Sequence, residues 1–74
     1  MEKFVSEVSA RHWFFQHVND MDVDNIDNVR FAFKDDVEAM EAYENQRDNG
    51  CCGSIDVDIT VNGRPAVIGC NYGH

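Results

Sequence analysis

The stretch Ile55-Asp56-Val57-Asp58-Ile59-Thr60-Val61, followed at once by Asn62-Gly63, restricts the fold of this chain more than any other segment. Strict alternation of β-branched apolar residues with small polar ones is the pattern of a strand with one buried face. Asn-Gly suits the tightest hairpin turns, whose two central residues both need positive φ. With the turn at residues 62 and 63, Val61 faces Arg64, Ile59 faces Ala66, Val57 faces Ile68 and Ile55 faces Cys70. Every inward residue except Arg64 at the rim then meets an apolar or soft partner, and a slip of one residue would turn the whole set outward. Pro65 has no N–H to donate, so the returning strand is expected at a sheet edge, at least beside the turn.

The rest of the chain supplies one more strand and two helices. Val29-Arg30-Phe31-Ala32-Phe33 has a period of two, with Val29, Phe31 and Phe33 on one face. Asp35 and Glu38 follow at capping-box spacing and predict a helix with Val37, Ala39, Met40 and Tyr43 toward the core. That helix runs out at Asn49-Gly50, residues suited to a left-handed C-terminus. Upstream, Phe4, Val8, Phe15 and Val18 share one arc of a helix, with Val5 and His12 at its margin, although Lys3 to Ala10 can also be written as a strand. Asn19 to Asn28 is dense in Asn and Asp, which compete with regular backbone pairing and predict a loop. The expected architecture is one α+β domain over residues 1–74, with two helices packed on one face of a small three-stranded sheet that ends in the β-hairpin.

Seventy-four residues bury too little surface to build a large catalytic cleft. The chain has no Gly-rich phosphate loop, Ser nucleophile elbow or paired-His metal motif, and His12, His17 and Cys51 do not fall at a triad spacing. A non-enzymatic protein without a cofactor is expected. No apolar run approaches the roughly 20 residues that cross a bilayer, and Met1 to Glu7 lacks the features of a secretory signal, so a cytoplasmic protein with no membrane partner is expected. Fourteen acids against six Lys and Arg give a net charge of −8, which repels phosphate backbones and disfavours direct nucleic-acid binding. Such a surplus serves either solubility or contact with a basic surface.

Three groups of carboxylates are candidates for that contact. Asp20, Asp22 and Asp24 have the opening spacing of a calcium loop, but Asn25 stands where Gly is needed and Phe31 where a bidentate Glu is needed, so the run reads as a solvated acidic loop. Glu38, Glu41, Glu44 and Asp48 share one stripe of the second helix. Asp56 and Asp58 occupy the polar phase of the hairpin. Together these acids could present charges spaced somewhat like phosphates to a nucleic-acid-binding groove. Trp13 lies opposite the arc of Phe4, Val8 and Phe15, which suits a binding anchor, a homodimer face, or a helix wrapped by its own domain from two sides. Cys51, Cys52, Cys70 and His74 gather at the open end of the hairpin and offer zinc-type ligands. Adjacent cysteines rarely direct both sulfurs at one metal, and Cys70 reads equally as a small core residue in a reduced protein.

Very short length, surplus acid, a strand-helix-hairpin core and the runs Gly50-Cys51-Cys52-Gly53, Asn62-Gly63-Arg64 and Gly69-Cys70-Asn71-Tyr72-Gly73-His74 together resemble small acidic bacteriophage accessory proteins of the anti-CRISPR and anti-restriction kind. The resemblance is one of style across the whole chain. It carries no shared motif from which a site residue could be transferred. It implies a viral, non-enzymatic inhibitor or adaptor in the host cytoplasm, docking on a basic nucleic-acid-binding surface of a host protein. The alternative is a small zinc-binding structural module built on the Cys/His cluster.

Overall fold

The computed structural model describes residues 1–50 and 53–73. The elements run β1 (Glu2–Phe4), α1 (Glu7–Asp20), β2 (Asp27–Phe33), α2 (Val37–Asp48), β3 (Gly53–Val61) and β4 (Arg64–Tyr72). The fold is α+β with two helices, and its sheet has four strands in the order β1-β3-β4-β2, one more than the sequence suggested. The extra strand is β1, which pairs parallel to β3 with Phe4 beside Val61, while the other pairings are antiparallel. Phe4 therefore belongs to a strand. The helix begins later, capped by Ser6, whose side chain accepts from the Ser9 backbone N–H at 3.1 Å.

The hairpin holds the expected register, with Val61 on Arg64, Ile59 on Ala66, Val57 on Ile68 and Ile55 on Cys70. Asn62 and Gly63 both take positive φ, at 52° and 78°. The returning strand β4 is central, not an edge as Pro65 had suggested. Proline is tolerated there because β2 has nearly ended: Phe33 opposite Ala66 is its last paired residue, and the next residue, Lys34, donates its N–H to the Pro65 carbonyl at 2.9 Å.

The two helices lie on opposite faces of the sheet, where the sequence reading put both on one. Ile55, Val57, Ile59, Val61, Ala66, Ile68 and Cys70 join Val29, Phe31 and Phe33 on the face that α1 covers with Ala10, Phe14 and Val18. On the other face Ala32 and Val67 meet Tyr43, Ala39 and Met40 of α2. Period two makes the reason plain. The other phase of β2 and β4 supplies Ala32 and Val67, and its polar members Arg30 and Asn71 are buried with hydrogen-bond partners, so the sheet is covered on both sides.

The buried face of α1 is also rotated from the one expected. Ala10, Phe14 and Val18 are fully buried, whereas Val8 is 77% and Phe15 52% exposed. At about 100° per residue, Trp13, His17, Ala10, Phe14 and Val18 span one side of the helix, and Val8 and Phe15 point away from it. Apolar residues surround this helix, so their spacing alone did not fix its orientation. Once Phe4 leaves the helix for β1, the arc that included it loses its support. In α2 the N-cap is Asp36, which accepts from the Ala39 N–H at 3.1 Å, and not Asp35. Val37 is consequently exposed, while Tyr43 is buried.

These helix orientations predict a clear contrast. Phe14→Ala should cost about 3–5 kcal/mol, the range for deleting a buried aromatic ring. Phe15→Ala, one residue on, should cost about 1 kcal/mol or less. Chemical denaturation of the two variants measures both, and equal losses would contradict the rotation assigned to α1.

Candidate functional site

The polar phase of the sheet builds a charged network beneath α2. Arg30 points to that face from β2, and its side chain is only 2% exposed. Its Nη2 donates to Asp56 Oδ1 at 3.0 Å, and its Nη1 to Asn71 Oδ1 at 2.9 Å and the Asn28 carbonyl at 3.1 Å. Tyr43 reaches down from α2 and donates its hydroxyl to the same Asp56 Oδ1 at 2.5 Å, while Ser54 donates to Oδ2 at 2.9 Å. The Arg30 guanidinium also lies 4.9 Å from the centre of the Tyr43 ring, in cation–π range. Only Arg30 Nε, among the described residues, is a buried side-chain donor without an acceptor.

Gly69 makes room for this network. It pairs with Asp56 on one side and Arg30 on the other, and a Cβ there would come within 2.3 Å of the Tyr43 hydroxyl and 2.5 Å of the Ile55 carbonyl. A glycine inside an otherwise β-branched strand marks such a close approach. It was the one signal in the sequence that could have located the cluster.

Asp56 is 26% exposed at its side chain. Burial raises its pKa, but hydrogen bonds from Tyr43, Ser54 and Arg30, with the Arg30 charge, outweigh burial and hold the carboxyl below its ordinary value. Burial pushes the Tyr43 phenol well above its ordinary value, and the hydrogen bond to the Asp56 carboxylate adds to this. This arrangement fixes a carboxylate in one orientation and ties β2, β3, β4 and α2 together. Asp56 is therefore drawn into a structural network, which takes it out of the free acidic surface.

The remaining predicted acids divide in two. Asp58 pairs with Lys34 at 2.6 Å, and Asp48 with its neighbour Arg47 at 3.5 Å. The loop expected over Asn19 to Asn28 is shorter, since α1 runs to Asp20 and β2 starts at Asp27. Asp20 at the end of α1, Asp22 and Asp24 in the loop, and Glu38, Glu41 and Glu44 on α2 are exposed and meet no cation among the described residues. Asp22, Asn25 and Asn28 take left-handed φ of 58°, 56° and 54°, a conformation Asn and Asp tolerate better than other side chains. The loop thus folds tightly through its Asx residues. Its end is tied to the helix where Asn28 Nδ2 donates to the Gln46 carbonyl at 3.3 Å, and to the end of β4 where the Gly73 N–H donates to the Asp24 carbonyl at 3.2 Å. These contacts set the loop beside the C-terminal part of α2, at the end of the sheet away from the Asn62-Gly63 turn, whereas Glu38 lies in the first turn of α2 at the other end.

Trp13 is not an outward anchor. It is half-buried against the α1 core, stacked on His17 at 4.8 Å between ring centres and tilted against Phe4 at 5.4 Å. The outward apolar residues of α1 are Val8 and Phe15. Cys70 is fully buried in the core, where desolvation raises its thiol pKa. Its proposed co-ligands Cys51, Cys52 and His74 lie outside the described residues. No group of three or more His, Cys, Asp or Glu is placed to hold a metal among the described residues. No helix there is long and apolar enough to cross a membrane.

The network predicts a specific pH response. A depressed Asp56 pKa contributes stability that is complete above the unfolded value of about 3.9 and is lost as pH falls through the lower folded value. A raised Tyr43 pKa contributes stability that is present below the unfolded value of about 10 and is lost as pH rises above it. Asp56→Asn should cost about 1–3 kcal/mol at pH 7 and flatten the acid limb of the stability curve, because the neutral amide has no proton to gain there. Tyr43→Phe should flatten the alkaline limb. Urea midpoints measured across pH test both, and unchanged limbs would show that other groups control them.

No protein-family model, curated protein or solved structure matches this chain.

Proposed function

We propose that this chain is a non-enzymatic protein-binding inhibitor or adaptor, of the kind phages direct at host defence, whose acidic surface docks on a basic nucleic-acid-binding surface of its partner. The observation that supports this reading is how the charge is distributed. Arg11 pairs with Glu7, Arg30 with Asp56, Lys34 with Asp58, Arg47 with Asp48 and Arg64 with Asp35. Among the described residues Lys3 is the one Lys or Arg outside these pairs. The internal pairs consume nearly all the positive charge, and most of the remaining acid lies on α2 with Glu38, Glu41 and Glu44 and between the end of α1 and the start of β2 with Asp20, Asp22, Asp24 and Asp27, beside Glu2 and the α2 cap Asp36.

A protein needing acid only for solubility gains nothing from gathering it on one helix face. Like charges at i, i+3 spacing, as in Glu38, Glu41 and Glu44, cost the helix a few tenths of a kcal/mol per pair. A basic groove would repay that cost on contact. It would also draw the protein in from a distance, since charge complementarity acts mainly on encounter. Carboxylates on a rigid helix can stand in for the phosphates such a groove ordinarily binds, which is DNA mimicry in the physical sense. Asp56 is excluded from this surface because Arg30 and Tyr43 already hold it.

The test is capture of the partner on the intact protein, followed by association kinetics across salt concentrations. Raising salt from 0.1 to 1 M shortens the Debye length from about 10 to about 3 Å and should slow association. Joint reversal of Glu38, Glu41 and Glu44 to Lys should reduce the association rate by about tenfold or more and change dissociation less. A captured complex indifferent to both salt and reversal would show that the acid is a solubility device.

A further inference from the structure

A cleft of about 310 Å³ opens at the outer edge of β2, the edge that the sheet order leaves without a neighbour. Arg11 of α1, Val29, Arg30 and Phe31 of β2, and Ala42 and Gln46 of α2 line it. This volume lies at the small end of the range for ligand clefts, roughly 300 to 1,000 Å³. The lining contains two guanidiniums and no carboxylate. In a chain with fourteen acids against six Lys and Arg, that is a local reversal of the overall charge.

Both guanidiniums keep donors that the fold does not match. Arg11 engages Glu7 through Nε at 2.8 Å, and its two Nη groups form no hydrogen bond among the described residues. Arg30 gives both Nη groups to Asp56, Asn71 and the Asn28 carbonyl, while its Nε has no acceptor. The backbone adds one more donor. Lys34 donates its N–H to the β4 residue Pro65, and orientation alternates along a strand, so Ala32 and Arg30 also turn toward β4 and Phe31 between them turns its N–H to the open edge. The rest of the lining is largely apolar, with Val29, the Phe31 ring and Ala42. Exposed Phe15 stands one helical turn beyond Arg11 on the same flank of α1.

We propose that this cleft binds a small organic carboxylate that carries an apolar body. The carboxylate accepts from the free Nη groups of Arg11 and from the Phe31 N–H, since a planar guanidinium fork matches a planar anion. Arg30 adds a second positive charge, which it shares with Asp56. The apolar body packs on Val29, Phe31 and Ala42, in the usual division of a ligand cleft between a few polar anchors and apolar walls. Other occupants fit less well. A cation would meet two guanidiniums without a counter-charge, and a neutral hydrocarbon would cover the Phe31 N–H without supplying an acceptor. None of Glu38, Glu41 and Glu44 lines the cleft, so this site stands apart from the acidic docking surface and does not rest on it.

The test is titration of the full chain with sodium benzoate, exchanged against sodium chloride at constant ionic strength and followed by amide NMR. Benzamide serves as the neutral isostere, and inorganic phosphate as an oxyanion without an apolar body. Benzoate should shift the Phe31 amide resonance saturably, and benzamide and phosphate should each bind about tenfold more weakly or less, the equivalent of one charge-assisted hydrogen bond. Arg11→Gln should weaken benzoate binding by about tenfold and leave benzamide unchanged. Benzamide binding equal to benzoate, shifts that do not saturate or that centre away from Phe31, or benzoate binding that survives Arg11→Gln would overturn the site. Phosphate binding as tight as benzoate would overturn the role given to the apolar body. The benzamide comparison uses the unaltered chain, so it decides the matter even where Arg11→Gln disturbs α1.

Discussion

The burial of Arg30 is the constraint on which one half of this structure depends. A guanidinium 2% exposed on the underside of a helix is costly unless its donors are met, and meeting them occupies much of the sheet face below α2. Asp56 comes from β3, Asn71 from β4, the Asn28 carbonyl from the start of β2 and the Tyr43 ring from α2. Gly69 is the position that lets them converge. The other face of the sheet is held by ordinary apolar packing against α1. The two faces thus rest on different physics, one nondirectional and one dependent on a set of oriented hydrogen bonds.

That difference explains which parts of the fold could be read from the sequence. The hairpin was legible because each of its cues is local: alternation fixes the faces, Asn62-Gly63 fixes the turn, and the two together fix the register down to Ile55 beside Cys70. Both helices were legible as helices. Their placement on opposite faces was not, because it depends on treating the second phase of β2 and β4 as buried too, and that phase contains a charged Arg30 as well as Ala32 and Val67. A lone arginine in a strand ordinarily signals a solvated face. Nothing local says that a distant tyrosine and aspartate will cover it.

The candidate site shows the same division. Exposed acids in the loop and on α2 followed from composition and helical spacing, because a carboxylate with no partner stays in water. Asp56 broke that rule through contacts with Arg30 and Tyr43, residues 26 and 13 positions away in the chain. Trp13 misled for another reason. Its place on the helix was judged against an arc that included Phe4, and Phe4 turned out to be the end of a strand that packs on Trp13 from the side.

The internal ion pairs do more than hold the fold. Lys34 and Asp58, with Arg64 and Asp35, lie toward the Asn62-Gly63 turn, where Arg64 also stacks 3.7 Å from the centre of the Phe33 ring. Arg64 forks onto both Asp35 oxygens, at 2.7 and 3.2 Å, and holds that carboxyl below its ordinary pKa. Positive and negative charge therefore cancel at these pairs, but Asp36 and Glu38 follow Asp35 at the start of α2, at the same end of the sheet, and form no ion pair among the described residues. Unpaired acid thus runs along α2 from its first turn to Glu44 and on into the segment after α1, so the ion pairs neutralise the cations without dividing the molecule into a neutral and an acidic end.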